Sequence, residues 1–325
     1  MALAARALWY ASRRHVELRD ELLSERTGSE ALISMLYSGV SRGTERLVFD
    51  GLVAAPERDR MRCPLQAGEF PFPVKYGYCA VGTVEAGPEA MVGKTVFTLA
   101  PHQDRQIVPT DRLSVVAIPD GIPAKRAILA ANMETALNAV WDSGAGPGDR
   151  IVVVGGGVLG LLVTFIVSQI PGTDVTLVDL DQSRKTYADL FGVRFQKPLD
   201  GPGDVDVAFH ASATSAGLAC ALACCGDEAT VVELSWFGDQ DPSVPLGAGF
   251  HAKRLKLISS QVGMVATSRR PRWSYQRRLE KAVALLADDR LDQLITEEVA
   301  FADLPAALPR ILAPGAPGLM TAISY

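Results

Sequence analysis

The run Gly155-Gly-Gly157-Val-Leu-Gly160 stands between IVVV and LLVTFIV, after an apolar strand-like segment and before an apolar helix-like one. That placement gives each glycine a task. Gly155 permits a tight turn, Gly157 lets the backbone approach a pyrophosphate, and Gly160 allows close helix–strand packing. Val158 and Leu159 open the helix, whose N-terminal N–H groups and positive potential suit a phosphate. Asp179 follows Gly160 by 19 residues and closes DVTLVD, where a carboxylate accepts hydrogen bonds from an adenosine ribose. The same carboxylate repels a 2′-phosphate, so the expected cofactor is NAD(H) rather than NADP(H). Arg184, five residues on, has two readings: cover for that ribose, or a solvated helix residue.

Three further groups can do chemistry. His102, in TLAPHQDRQIV, is of a type that titrates near neutrality, and Asp104 two residues later can orient it if the loop turns back. Its alternative is a surface-loop histidine bonded to backbone. His210, in DVAFHASATS, closes a strand-like run whose following loop should pass near the cofactor's ribose; the alternative is a packed strand-end histidine. Arg269, Arg270, Arg272, Arg277 and Arg278, with Trp273 and Tyr275 among them, suit a planar or anionic substrate, and Arg270 represents them as a substrate candidate. A solvated helix start is the ordinary reading of that cluster. Cys220, Cys224 and Cys225 recur in one small-residue segment and read as small buried side chains.

The elements that must hold these groups alternate from Asp149 onwards. DRIVVVG precedes VLGLLVTFIVSQI, DVTLVDL precedes QSRKTYADLFG, and DVDVAFHA precedes SAGLACALACCG; ATVVELSWFG and RLKLISSQVG follow. Such alternation predicts a doubly wound parallel sheet. Residues 1 to 122 read instead as short strands between turn residues, including ALISMLYSGV and KTVFTLAP. KRAILAANMETALNAVWDSG carries apolar residues at helical spacing, and YQRRLEKAVALLADDRLDQLI predicts an amphipathic helix near the C-terminus. RLKLISSQVG should be an edge strand, which invites pairing across a two-fold axis; a homodimer is expected.

Bulk properties narrow the class. With 325 residues the chain exceeds one comfortable core, and 48% apolar with 21% charged residues is ordinary for a globular protein. A net charge of −5 gives no general attraction to nucleic acid or to an anionic membrane. Val158–Val167 is too short to span a bilayer, and the first residues lack the apolar core of a signal peptide. Five cysteines without paired spacing suit a reducing interior, so a cytoplasmic location is expected.

Several runs resemble the medium-chain dehydrogenase/reductase superfamily. YSGVSRGTERLVFDG is similar to the segment that carries the first catalytic zinc ligand, and FPVKYGYCAVGTVEAGP to the Gly-His-Glu stretch and its following strand. AANMETALNAVWDSGAGPGDRIVVVGGGVLG resembles the helix, the Gly-Pro-Gly-Asp turn and the nucleotide strand. The resemblance implies an α/β protein: a GroES-like β-rich substrate domain, residues 1–122 and 271–325, around a Rossmann domain, residues 123–270. It also implies zinc ligands that this chain lacks. The cysteine position falls on Ser41 or Arg42, the histidine position is Tyr78, and the glutamate after it is Cys79. Only Glu134 keeps a coordinating group, and one carboxylate does not make a zinc site. No metal is expected, neither catalytic nor structural.

Among relatives without zinc, GVSRGTERLVFDG and KYGYCAVG are most similar to the bacteriochlorophyllide hydroxyethyl dehydrogenase branch, which implies oxidation of a secondary alcohol on a ring. Without a metal a side chain must handle the proton. Tyr78 is the first candidate, with Lys75 or Arg42 nearby to lower its pKa; His102 and Glu134 follow, although a Glu134–Arg42 ion pair is the expected structural use of that carboxylate. Ser41, Arg42 and Thr44 are the candidate substrate contacts, and Glu45 is expected to anchor their loop. Cys79, without an adjacent histidine, is expected to be wall material. The expected activity is a zinc-independent, NAD(H)-dependent interconversion of a secondary alcohol and a ketone on a small metabolite. An NADPH-dependent enoyl or quinone reductase and a non-catalytic nucleotide-binding protein are the alternatives.

Overall fold

The computed structural model describes residues 3–110, 115–247 and 249–325. The chain divides into two compact units, one of Met1–Ala131 with Tyr275–Tyr325 and one of Asn132–Ser274.

Unit Asn132–Ser274 is a six-stranded, wholly parallel sheet. Its strands, in spatial order, are Arg194–Gln196, Asp174–Val178, Arg150–Val154, Val205–His210, Cys225–Glu233 and Lys256–Ser259. Chain order along the sheet is therefore third, second, first, fourth, fifth and sixth, the doubly wound arrangement in which ligands bind where the winding reverses. The reversal lies between Arg150–Val154 and Val205–His210, which pair directly, with Val154 opposite His210. Ile151, Val152 and Val153 are fully buried, as are Leu177, Ala208, Phe209 and Val231, because helices cover a parallel sheet on both faces. Helix Val158–Val167 presents Leu161, Leu162 and Val163 to that core, and helix Ser215–Cys224 presents Leu218 and Ala221. Lys256–Ser259 is the end strand of the sheet, as the sequence predicts.

The other unit is β-rich. Leu3–Ser12 and His15–Leu23 form an antiparallel hairpin in a four-stranded sheet completed by Val74–Lys75 and Ala67–Gly68. A second sheet orders Ile295–Ala300, Met320–Ser324, Glu30–Val40, Ala80–Ala86, Thr95–Thr98 and Val115–Ala117, with Arg105–Pro109 also paired to Glu30–Val40. Two differences from the sequence reading have local causes. The first two strands are 10 and 9 residues long rather than short, because their hairpin turn is the only interruption. Arg42–Asp50 is a helix, ended by Gly51 at φ 69°, with Leu47, Val48 and Phe49 buried. Among the described residues no helix is long and apolar enough to cross a membrane.

Candidate active site

The glycine turn is built around close contacts. Gly155 has φ 111°, and a Cβ there would lie 2.8 Å from the carbonyl carbon of Ala211 and the nitrogen of Ser212. At Gly160 a Cβ would lie 1.8 Å from the Gly155 oxygen, so helix Val158–Val167 can approach the strand only with glycine there. Around Gly157, by contrast, a Cβ would meet nothing within 4 Å. The turn is packed at Gly155 and Gly160 and open at Gly157, the geometry a dinucleotide pyrophosphate needs. Asp179 Oδ2 accepts from the Gly156 nitrogen at 2.6 Å, and Oδ1 from the Asp181 nitrogen at 2.8 Å. The carboxylate thus flanks the fingerprint. The Arg184 stem also lies against Gly156, while its guanidinium pairs with Asp181 at 3.3 Å.

Beside the turn, the ends of two parallel strands make a second cluster. Register places His210 directly opposite Glu233. His210 Nδ1 lies 2.6 Å from Glu233 Oε2 and Nε2 lies 2.7 Å from Ser212 Oγ. The imidazole is fully buried and stacks against Phe237. His210 is a strand-end histidine with a carboxylate and a hydroxyl as partners, and Glu233, Ser212 and Thr214 are functional candidates that the sequence did not suggest.

In the β-rich unit, Tyr78 donates to Ser41 Oγ at 2.6 Å, and the Thr44 hydroxyl also bonds the phenol. Three of the candidates therefore meet. Burial, followed by the neighbouring Cys79 thiol, raises the Tyr78 pKa, and the hydroxyl contacts oppose that only in part. This reverses the expected direction, because Lys75 is committed elsewhere: its ammonium donates to Glu21 and Gln103, both at 2.7 Å. Tyr78 stays protonated near neutrality and serves as a hydrogen-bond donor. The Cys79 thiol is fully buried and likewise held well above its ordinary pKa by burial. Cys79 is wall material.

His102 is not a surface residue, and Asp104 does not orient it. The ring is wholly buried, with Nε2 3.0 Å from Glu45 Oε2 and Nδ1 2.8 Å from Ser38 Oγ, which in turn meets the Tyr325 hydroxyl at 2.8 Å. Asp104 instead accepts from the Arg6 nitrogen at 2.8 Å. Glu45 also accepts from Tyr10 at 2.7 Å and, through Oε1, from the Ser41 nitrogen at 2.7 Å. It anchors the loop that carries Ser41. The Arg42 Nη1 faces the carbonyls of Ala316, Pro317 and Gly318, the nearest being Pro317 at 2.7 Å. Glu134 is buried in helix Ala130–Ser143, in the other unit's span.

The arginine cluster is divided. Arg269 packs over the Trp141 ring and Arg270 Nε donates to the Val265 carbonyl at 2.8 Å, both within unit Asn132–Ser274. Arg278 is fully buried over Tyr275 at the start of the last long helix, so the run is not a uniformly solvated helix start.

These residues do not fit a zinc ion. Ser41 and Tyr78 bond each other, Arg42 faces carbonyls, and none of the three supplies a zinc donor. Among the described residues no group of three or more His, Cys, Asp or Glu side chains could hold a metal.

No family model matches the chain. A stretch of 83 residues is 30% identical to 2-dehydro-3-deoxy-L-galactonate 5-dehydrogenase of Pseudoalteromonas atlantica, spanning 26% of this chain and only 24% of that relative. Likeness of fold extends much further. L-idonate 5-dehydrogenase from Escherichia coli superposes with a TM-score of 0.81 at 14% identity, over 100% of this chain and 99% of that one. A protein described as a zinc-binding dehydrogenase from Sinorhizobium meliloti, solved with NADP bound, gives 0.78 at 16% identity, over 99% and 100%. At such identities the likeness shows the fold, and it is the fold of medium-chain dehydrogenases: a GroES-like domain with a Rossmann domain.

Proposed function

We propose that the chain is an NAD(H)-dependent oxidoreductase that interconverts a secondary alcohol and a ketone of a small metabolite without zinc. One observation carries the reading: the Asp179 carboxylate stands 2.6 Å from the Gly156 nitrogen, at the edge of a glycine turn with open space at Gly157. Gly155, Gly157 and Gly160, with the amides opened by Val158 and Leu159, would hold the pyrophosphate, and Asp179 the adenosine ribose. Arg184, paired with Asp181, has its charge offset beside that position, which disfavours a 2′-phosphate. The dehydrogenase relatives support the reaction class. The sequence likeness to the bacteriochlorophyllide branch supports a ring-bearing substrate, and His210 is a further candidate contact to the cofactor.

When bound, the nicotinamide supplies the hydride acceptor or donor. What remains is to orient the substrate oxygen and to move one proton. Tyr78, kept protonated by burial, donates its one phenolic proton to Ser41 Oγ and so turns the Ser41 hydroxyl's own proton towards the substrate oxygen, with Thr44 holding the phenol in place. A donor of this kind stabilises the oxygen of a ketone or of the alkoxide that precedes it, the task a metal otherwise performs. His102 acts behind this group: Glu45 holds the Ser41 amide and the His102 ring together. Glu134 and Arg270 remain candidates for proton transfer and substrate contact.

Titration calorimetry with NADH and NADPH tests the cofactor. NADH should bind at least about tenfold more tightly, a difference of about 1.4 kcal/mol. Tighter NADPH binding would turn the reading towards an enoyl or quinone reductase, for which the NADP of the Sinorhizobium protein is the supporting observation. Dialysis against EDTA should leave turnover of secondary alcohols unchanged; loss of activity restored by zinc would refute the metal-free proposal. We also propose a homodimer through the end strand Lys256–Ser259, which a monomeric mass at micromolar concentration would refute.

A further inference from the structure

The cluster at the ends of strands Val205–His210 and Cys225–Glu233 has the connectivity of an activated nucleophile. A carboxylate can only accept, so the 2.6 Å contact with Glu233 places the proton on His210 Nδ1 and leaves Nε2 to accept from Ser212 at 2.7 Å. The partners on either side fix the same direction. Glu233 Oε1 accepts from the Ser235 nitrogen at 2.7 Å, which holds the carboxylate still. Thr214 Oγ1 accepts from the Gly217 nitrogen at 3.0 Å, leaving its own hydroxyl to donate to Ser212 Oγ, also at 3.0 Å. The imidazole is fully buried, while Glu233 and Ser212 are both partly exposed and Thr214 is exposed, so the chain of bonds is most open to solvent at its hydroxyl end.

Two backbone features keep that end in place. A Cβ on Gly217 would lie 2.0 Å from Ser212 Oγ and 2.8 Å from His210 Nε2, so the pair exists because helix Ser215–Cys224 has glycine there. Ala213, next to Ser212, has φ 53°, and its nitrogen donates to Ser235 Oγ at 3.0 Å. A non-glycine residue in the left-handed region directly after a hydroxyl held by histidine is a strained turn at a candidate nucleophile. That helix begins three residues beyond Ser212; the Gly217 amide of its first turn is already donated to Thr214, so an oxyanion would call on those of Ser215 and Ala216.

We infer that Ser212, His210 and Glu233 form a nucleophilic triad that takes an acyl group from an activated ester, an activity distinct from hydride transfer. Ser212 Oγ attacks the acyl carbon and forms an O–C bond as its proton passes to His210 Nε2. The bond to the leaving alcohol breaks, and that alcohol departs with the proton from Nε2. Water then gives a proton to Nε2 and attacks the acyl carbon; the carboxylic acid leaves, and the proton returns to Ser212 Oγ. Atoms and charge balance with water as the only co-reactant.

The test treats the full chain with a biotinylated fluorophosphonate, and separately with p-nitrophenyl acetate, read by intact mass and peptide mapping. One adduct on Ser212 is expected, none with Ser212→Ala, and labelling about 100-fold or more slower with His210→Gln and Glu233→Gln. Gly217→Ala should also suppress labelling by displacing the hydroxyl, with melting temperatures reported for every variant. A carboxylate-to-amide control outside the cluster, Glu228→Gln, changes an exposed residue of strand Cys225–Glu233 that pairs with Arg254, and should still label at the wild-type rate. No adduct on Ser212, or a wild-type rate in folded His210→Gln, overturns the triad. NADH affinity is measured on the same wild-type preparation, so protein that binds NADH but does not label refutes this inference alone.

Discussion

The molecule contains two histidines set between a carboxylate and a serine, one in each unit, and they are built for different ends. His102 lies between Glu45 and Ser38, and His210 between Glu233 and Ser212. Bond lengths are alike, from 2.6 to 3.0 Å, and both rings are fully buried. The difference is where the serine leads. Ser38 passes on to Tyr325, whose hydroxyl is buried and whose pKa burial raises, so that network closes inside the protein. Ser212 passes to an exposed threonine beside the glycine turn. The first arrangement can hold shape and position Ser41; the second can meet a reagent. Chemistry is set by the open end, not by the triad of residue types.

The largest effect should come from breaking the closed network. Glu45→Ala removes the acceptor for Tyr10, His102 and the Ser41 nitrogen at once, leaving buried donors without partners. A loss of about 3–5 kcal/mol is expected in urea unfolding. If stability changes by less than about 1 kcal/mol, the network is not the anchor argued for it. Glu233→Gln should cost much less stability, because Glu233 lies at the open end of its sheet.

Next in size is the Tyr78 hydroxyl. Tyr78→Phe removes its bond to Ser41 while keeping the ring, so folding should change by about 1 kcal/mol and kcat by about 100-fold. Because burial raises the phenol's pKa, Tyr78 keeps its proton as pH rises, and the wild-type rate should show no alkaline fall from this group between about pH 6 and 9. A kcat unaffected by the substitution would return Tyr78 to a lining role.

How much of this contrast was legible in the sequence depends on how far apart the partners lie. The glycine turn and Asp179 could be read because strand, turn and helix are contiguous, and the spacing itself is the signal. Tyr78 and Ser41 came into view only through resemblance, since nothing local links positions 37 residues apart. For His102 the nearest acid in sequence, Asp104, is not the partner, whereas Glu45 reaches it from 57 residues away. His210 and Glu233 are cross-strand neighbours in a parallel sheet, so a helix separates them in the chain. The signal that could have found them was there: two strands of one predicted sheet, ending in His and Glu. The arginine run illustrates the opposite hazard, since contiguity suggested one surface and the fold divides it between two units.

The smallest predicted effect concerns another pair that proximity in sequence does hold together. Cys220 and Cys224 lie one turn apart on helix Ser215–Cys224, and both sulfurs lie within 4 Å of where a Cβ on Gly201 would be. The Cys224 thiol donates to Cys220 and lowers its pKa to about 7, against the opposing effect of burial, while Cys224 itself is raised. A lowered pKa means that the thiolate predominates above about pH 7 and is lost below it. Iodoacetamide should therefore modify Cys220 before Cys224, with a rate that is half-maximal near pH 7. Cys224→Ala removes the donor, so the midpoint should move up towards the ordinary thiol value of about 8.5. A midpoint that stays near 7 in the variant would show that the neighbouring thiol is not what stabilises the anion, and that the helix places two sulfurs together without chemical consequence.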